Sequence, residues 1–197
     1  MIYSVKGTLV HIESGFAVVE CSGIGYKVNT TTTTQRQLKL NETVMLYTYM
    51  NVREDAVELF GFYSKSELST FKLLISISGV GPKVALAILS ELSSEAVAMS
   101  VSAGDYKTLT RASGVGPKLA QRIVLELKDK IKGFSTDAAD GVVQKGSVIA
   151  DTGNISKAVA ALAVLGYSAA DVTPVLSKLD PSLTVEQMIA ATLRQMG

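Results

Sequence analysis

The hexapeptide Ser78-Gly79-Val80-Gly81-Pro82-Lys83 returns 35 residues later as Ser113-Gly114-Val115-Gly116-Pro117-Lys118. The register persists through Ala85/Ala120, Ile88/Ile123, Glu91/Glu126 and Leu92/Leu127. An in-register repeat of this kind means that one supersecondary unit is built twice. The unit is a turn that opens a helix, because paired glycines permit positive φ and proline suits the first helical position, where its missing donor has no intrahelical partner. Leu68, Phe71, Leu74 and Ile75 recur at spacings of three and four, and helical patterning extends from about Ser64 to Ile131. Residues 64–133 are therefore expected to form two consecutive helix-turn-helix hairpins.

The chemistry of such a turn follows from its backbone. A Gly-x-Gly segment lets a ligand approach without a Cβ in the way, and the helix that starts at Pro82 or Pro117 directs free N–H groups and its positive dipole end at that ligand. Lys83 and Lys118 add a cation to each turn, and Arg122 lies one helical turn further on. Two such anion sites could hold two phosphates at a set separation and grip a duplex across its minor groove. The contacts would be to backbone and carry no sequence preference. The competing reading of a single copy is a tight helix connection, and for Arg122 a solvated surface cation. No G-x-x-x-x-G-K-[ST] occurs and no G-x-G-x-x-G follows a strand, so neither ATP hydrolysis nor dinucleotide binding is expected.

Charge supports the same region. The 197-residue chain has a formal charge of only +1, yet residues 64–133 sum to +4 while residues 1–63 and 134–197 sum to −1 and −2. One cysteine, Cys21, and one histidine, His11, rule out a disulfide framework and a Cys/His zinc cage. A reducing, cytoplasmic setting is expected. The start MIYSVKGTLV lacks a basic, apolar leader pattern, and no apolar run reaches the roughly 20 residues of a membrane span, so neither export nor membrane insertion is expected.

Before the hairpins, β-branched and aromatic runs at Ile2–Leu9, Phe16–Cys21, Tyr26–Thr30, Val44–Tyr49 and Val57–Phe62 read as strands punctuated by glycine. Five strands in so short a segment close most economically into a barrel of oligonucleotide-binding (OB) type, an open antiparallel sheet being the alternative. His11 and Cys21 are expected to fill barrel space, and the run Thr30–Thr34 to be a solvated loop or strand end. After the hairpins, residues 134–153 are rich in Gly, Ser, Asp and Ala and read as a flexible linker. Three short helices follow: one with Ile155, Val159 and Leu162 on one stripe, ending at Gly166; one opened by the capping box Ser168–Asp171; and one opened by Thr184–Gln187. The expected architecture is multidomain, β then α: a five-stranded OB-type barrel over 1–63, a tandem helix-hairpin-helix domain over 64–133, a linker over 134–153 and a three-helix C-terminal domain over 154–197.

This order, together with Val52-Arg53-Glu54-Asp55 and Leu59-Phe60-Gly61-Phe62, resembles the RuvA family of bacterial Holliday-junction-binding proteins. The resemblance covers the whole chain. It implies a non-catalytic, structure-specific DNA-binding subunit acting in recombination, repair and the SOS response. Such a subunit forms a homotetramer, or an octamer when a second tetramer covers the DNA, and holds a four-way junction open and square on a basic face. It implies phosphate binding by Gly79, Val80, Gly81 and Lys83 in the first hairpin and by Gly114, Val115, Gly116, Lys118 and Arg122 in the second. Pro117 stands where many family members carry another basic residue, which leaves the second hairpin one charge poorer. Glu54 and Asp55 would form an acidic pin at the junction centre, where their charges repel converging phosphates, and Arg53 beside them would either offset that repulsion or contact DNA. The tail would dock on the hexameric RuvB ATPase, with Leu162, Leu165, Tyr167, Val172 and Leu176 as candidates for the docking strip or for internal packing. The RuvC resolvase is a further implied partner. ATP and Mg²⁺ would belong to the motor, leaving this chain without a cofactor, metal site or catalytic residue.

Two other readings of the residues stay open at this level. A structure-selective nuclease could bind Mg²⁺ through Glu54, Asp55 and Glu58, although no further acid or base lies nearby in sequence. A general nucleic-acid binder could use barrel aromatics such as Tyr3, Phe16, Tyr26, Tyr47 and Tyr49 for stacking.

Overall fold

A computed structural model describes residues 1–137, 153–164, 167–180 and 182–196. Five strands, β1 (Ser4–Glu13), β2 (Phe16–Cys21), β3 (Ile24–Asn29), β4 (Thr43–Val52) and β5 (Val57–Phe62), close into a barrel in the order β1-β2-β3-β5-β4. All pairings are antiparallel except β3 with β5, which meet in parallel at Asn29 and Phe60. Closure removes the free sheet edges that five short strands would otherwise expose. Inward positions alternate as a pleated strand requires, and Val5, Leu9, Ala17, Val19, Val28, Val44, Leu46 and Leu59 fill the interior.

The alternation breaks once, and it moves His11. Leu9 pairs with Val19 but His11 pairs with Val18, so a bulge adds one residue to β1 between them. The extra residue reverses the parity of the strand. His11 therefore does not fill the barrel, as strand alternation predicts. It lies on the outer face, with Nε2 2.9 Å from Glu13 Oε1 and its ring 5.9 Å from that of Phe16. Cys21 is half-buried, and its thiol donates to the Lys6 carbonyl at 3.0 Å.

The threonine run is also different from its sequence expectation. Thr30, Thr31 and Thr34 are buried, and Thr31 caps a one-turn helix, α1 (Thr32–Gln35), by accepting from the Thr34 amide at 3.0 Å. Helix α2 (Lys65–Ile75) and helix α3 (Pro82–Glu91) receive the remaining hydroxyls. Thr31 donates to Glu67 of α2, and Thr34 does so at 2.6 Å. Thr32 donates to the Ser90 carbonyl and Thr33 to the Leu89 carbonyl, each at 2.9 Å. These carbonyls belong to the last turn of α3, where no intrahelical donor follows. Thr30 completes the set by donating to the Gly61 carbonyl of β5 at 2.6 Å. A low-complexity stretch thus bonds the barrel to both helices of the first hairpin.

Aromatic packing reinforces that join. Phe71 of α2 is fully buried, with ring centroids 4.8 Å from Phe62, 5.5 Å from Phe60 and 5.6 Å from Tyr49. Met1–Ser93 and Arg111–Gly114 accordingly form one compact unit.

The second unit comprises residues 94–110 and 115–197. It contains α4 (Ser94–Ala103), α5 (Tyr106–Leu109), α6 (Pro117–Asp137), α7 (Gly153–Val164), α8 (Ala169–Leu176) and α9 (Val185–Met196). Helix α6 continues four residues beyond the predicted start of the linker, because Gly133 is an interior weakness rather than a stop and no proline follows it. Residues 138–152 of the predicted linker lie outside the described residues. Thr184 and Gln187 form the expected reciprocal capping box, with amide-to-side-chain bonds of 3.0 and 3.3 Å. Ser168 caps α8 through the Ala170 amide at 3.2 Å. Among the described residues, no single helix is long and apolar enough to cross a membrane.

Replacing Phe71 with alanine is expected to cost about 3–4 kcal/mol, because one ring serves three partners and its cavity cannot collapse onto a closed barrel. Urea unfolding followed by circular dichroism measures this, and an unchanged midpoint would contradict the assignment of Phe71 as the join.

Candidate nucleic-acid interface

In the first hairpin, Gly79 takes a φ of 89°, the left-handed conformation that a non-glycine residue enters at a cost. The chain then extends through Gly81 and enters α3 at Pro82. The first i→i−4 bond of α3 runs from the Ala85 amide to the Gly81 carbonyl at 3.0 Å. The amides of Lys83 and Val84 precede it, and no side chain caps them. Lys83 is exposed beside them and forms no ion pair among the described residues.

The second hairpin repeats the design locally. Gly114 has a φ of 81°, α6 opens at Pro117, and its first i→i−4 bond runs from Ala120 to Gly116 at 2.9 Å. Lys118 and Arg122 are both exposed. A Cβ added at Gly81 or Gly116 would meet nothing within 4 Å, and neither residue has a positive φ. Among the described residues, nothing requires glycine at these two positions. What the missing Cβ leaves clear is the approach to the open amides of the helix that follows.

One member of the predicted set has its backbone donor taken up within the turn itself. The Val80 side chain is buried, and its amide donates to the Ile77 carbonyl at 3.0 Å. Val80 is therefore a packing residue with its donor already used, and the open amides belong to Lys83 and Val84 instead. Val115 is likewise buried. The sequence reading missed Asp105, which caps α5 by accepting from the Lys107 and Thr108 amides at 3.1 and 3.3 Å and from the Thr108 hydroxyl at 2.6 Å. These bonds, led by the Thr108 hydroxyl, hold its carboxyl below the ordinary value of 3.8. The signal for it was an aspartate directly before a helical turn. Arg111 pairs with Glu91 at 2.8 Å and ties the approach to the second turn to the end of α3.

The pin residues sit where the strands predict. Val52 and Val57 form the last pair of the β4–β5 ladder, and the Arg53 amide donates to the Ala56 carbonyl at 2.8 Å to close the turn. Glu54 and Asp55 are exposed at the tip. Arg53 lies 3.2 Å from Glu58. Among the described residues, no group of three or more His, Cys, Asp or Glu converges as metal ligands would. In the tail, Leu162, Val172 and Leu176 are fully buried and act as core. Tyr167 donates to Glu95 of α4 at 2.7 Å, and Leu165 lies outside the described residues.

Comparison with known proteins bears on this arrangement from end to end. The model of the RuvA N terminal domain matches residues 1–61, that of the SAM-like helix-hairpin-helix tandem residues 71–129, and that of the RuvA C-terminal domain residues 155–197. A Clostridium botulinum protein described as Holliday junction branch migration complex subunit RuvA is 40% identical over 194 residues, covering 98% of this chain and 97% of its own. The chain belongs to the RuvA family. An Acetivibrio thermocellus protein of the same description is 40% identical over 200 residues, covering 100% of this chain and 99% of its own. A Corynebacterium efficiens relative is 44% identical over 107 residues, or 54% of this chain and 52% of its own. The closed barrel, the hairpin tandem and the C-terminal helical domain thus have the order of the RuvA family. The pin hairpin falls inside the first match, and both glycine turns inside the second.

Substituting both Lys83 and Lys118 with alanine is expected to weaken DNA binding and flatten its salt dependence. Each lost phosphate contact lowers the slope of log K against log salt by about 0.9. A titration across salt concentrations that returned the wild-type slope would place the contact surface elsewhere.

Proposed function

We propose that this chain is the non-catalytic DNA-binding subunit of a branch-migration complex. It recognises the four-way (Holliday) junction, holds it open and square, and presents it to the RuvB ATPase. The observation that carries the reading is the duplicated hairpin, in which a left-handed glycine, a Pro-led helix and an exposed lysine occur twice in a chain of the RuvA family. Relatives matching nearly all of the chain are described as subunits of a Holliday junction branch migration complex.

The hairpins supply affinity. Amides and lysines bind phosphate oxygens without reading bases, so any duplex arm of suitable geometry is accepted. The pin supplies shape. Glu54 and Asp55 carry negative charge to the place where strands exchange, and repulsion between carboxylates and phosphates at short range keeps the strands apart. A homotetramer matches the fourfold form of an open junction, placing one pin beside each strand crossing, and a second tetramer can cover the opposite face as an octamer. No step in this function breaks a bond. ATP and Mg²⁺ enter through the motor, while the C-terminal helices provide its docking module and the RuvC resolvase acts on the opened junction.

A competition gel shift between an immobile four-way junction and linear duplex of equal total length tests the proposal, using wild type and a Glu54→Gln, Asp55→Asn variant. A strong wild-type preference for the junction, altered in the variant, is expected. Equal competition by both DNAs would reduce the hairpins to a general duplex grip and overturn the junction reading.

A further inference from the structure

The tip of the β4–β5 hairpin carries one cation among three carboxylates, and the cation is already bound. Asn51 and Glu58 are direct partners across the antiparallel ladder, and Arg53 follows Asn51 by two residues, so all three share one face of the hairpin. Arg53 Nη2 lies 3.2 Å from Glu58 Oε2. The Asn51 amide, oriented with its oxygen toward the guanidinium, accepts from Arg53 Nε at 3.0 Å and from Nη2 at 3.1 Å. The guanidinium thus engages both members of a cross-strand pair through two of its nitrogens. On the backbone, the Arg53 amide is committed to the Ala56 carbonyl. Glu54 and Asp55, by contrast, have no ion pair or side-chain hydrogen bond among the described residues.

We propose that Arg53 is a positioning residue for the pin. Clamped onto Asn51 and Glu58, it is withheld from DNA phosphates, neutralises Glu58 and sets the direction in which Glu54 and Asp55 project. The inference rests on the junction-scaffold reading for its consequence, although the clamp exists without DNA. Its logic is one of charge and order. A free arginine at the tip would attract the phosphates that the pin has to repel, and would swing on a long side chain beside the two carboxylates. Bound back along the ladder, it leaves those two as the unopposed charges of the tip and stiffens a hairpin end that otherwise has only its turn to hold it.

The test uses the full chain with Arg53→Ala, Glu58→Ala and the exchanged pair Arg53→Glu, Glu58→Arg. In DNA-free protein, hydrogen exchange of the backbone amide at position 53 is expected to accelerate at least tenfold in both Glu58→Ala and Arg53→Ala. In the exchanged pair it is expected to return to within about threefold of wild type. Unchanged exchange in either single variant overturns the clamp, whatever the DNA results. On a dye-labelled four-way junction, both single variants are expected to reduce the open, square population at least twofold. The salt slope of binding is expected to stay at its wild-type value in Arg53→Ala. A slope lower by about 0.9 for each arginine removed would make Arg53 a phosphate ligand and overturn the proposal, as would tighter binding by Glu58→Ala. Failure of the wild-type protein to open the junction overturns the scaffold reading instead, and the exchange measurement then decides the clamp by itself.

Discussion

Phe71 is the side chain on which the arrangement depends. It sits at the meeting of α2 with β4 and β5, stacked on Phe60 and packed against Phe62 and Tyr49. Strands β4 and β5 carry the pin at one end, and α2 leads into the glycine turn of the first hairpin. One aromatic cluster therefore ties an acidic tip to the first glycine turn within a single compact unit. Were the barrel and the hairpin joined only by chain, the tip and the turn would move independently, and in the proposed function the pin could not be aimed by where the turn grips.

The threonine run makes the same join in polar form. Its hydroxyls reach Gly61 in β5, Glu67 in α2 and the terminal carbonyls of α3, so the groups that a closed barrel and a helix end leave unsatisfied are met by one short segment. The buried carboxylate of Glu67 is tolerable there because two hydroxyls donate to it. The apolar cluster and the polar cluster both join α2 to β5, and losing either leaves the other to hold that join alone.

What was legible in the sequence was local or periodic. The repeat, the strands and the capping box at Thr184 are set by residues close together in the chain, and the structure has them where the pattern predicts. The threonine run was misread because the groups its hydroxyls donate to lie between 31 and 58 residues away, where composition alone cannot see them. His11 was misplaced because a bulge adds one residue and inverts the faces of the strand, and no glycine marks the position. Val80 was assigned to phosphate because it lies inside the motif, yet Ile77, three residues earlier, takes its amide. The partners of Arg53 are only two and five residues distant, but they become neighbours only through the register of the ladder, which the sequence does not print.

The central claim is that a backbone-reading grip and an electrostatic wedge, held in one frame, recognise the centre of a branched DNA. The most direct measurement is a density map, by electron cryomicroscopy, of the protein bound to an immobile four-way junction. The account predicts phosphates within hydrogen-bond reach of the Lys83, Val84 and Lys118 amides, arms spread toward a square plane, and Glu54 and Asp55 beside the strand crossing with no phosphate bound to them. DNA lying instead across the outer face of β1, β2 and β3, against Phe16 and His11, with the glycine turns empty, would contradict it.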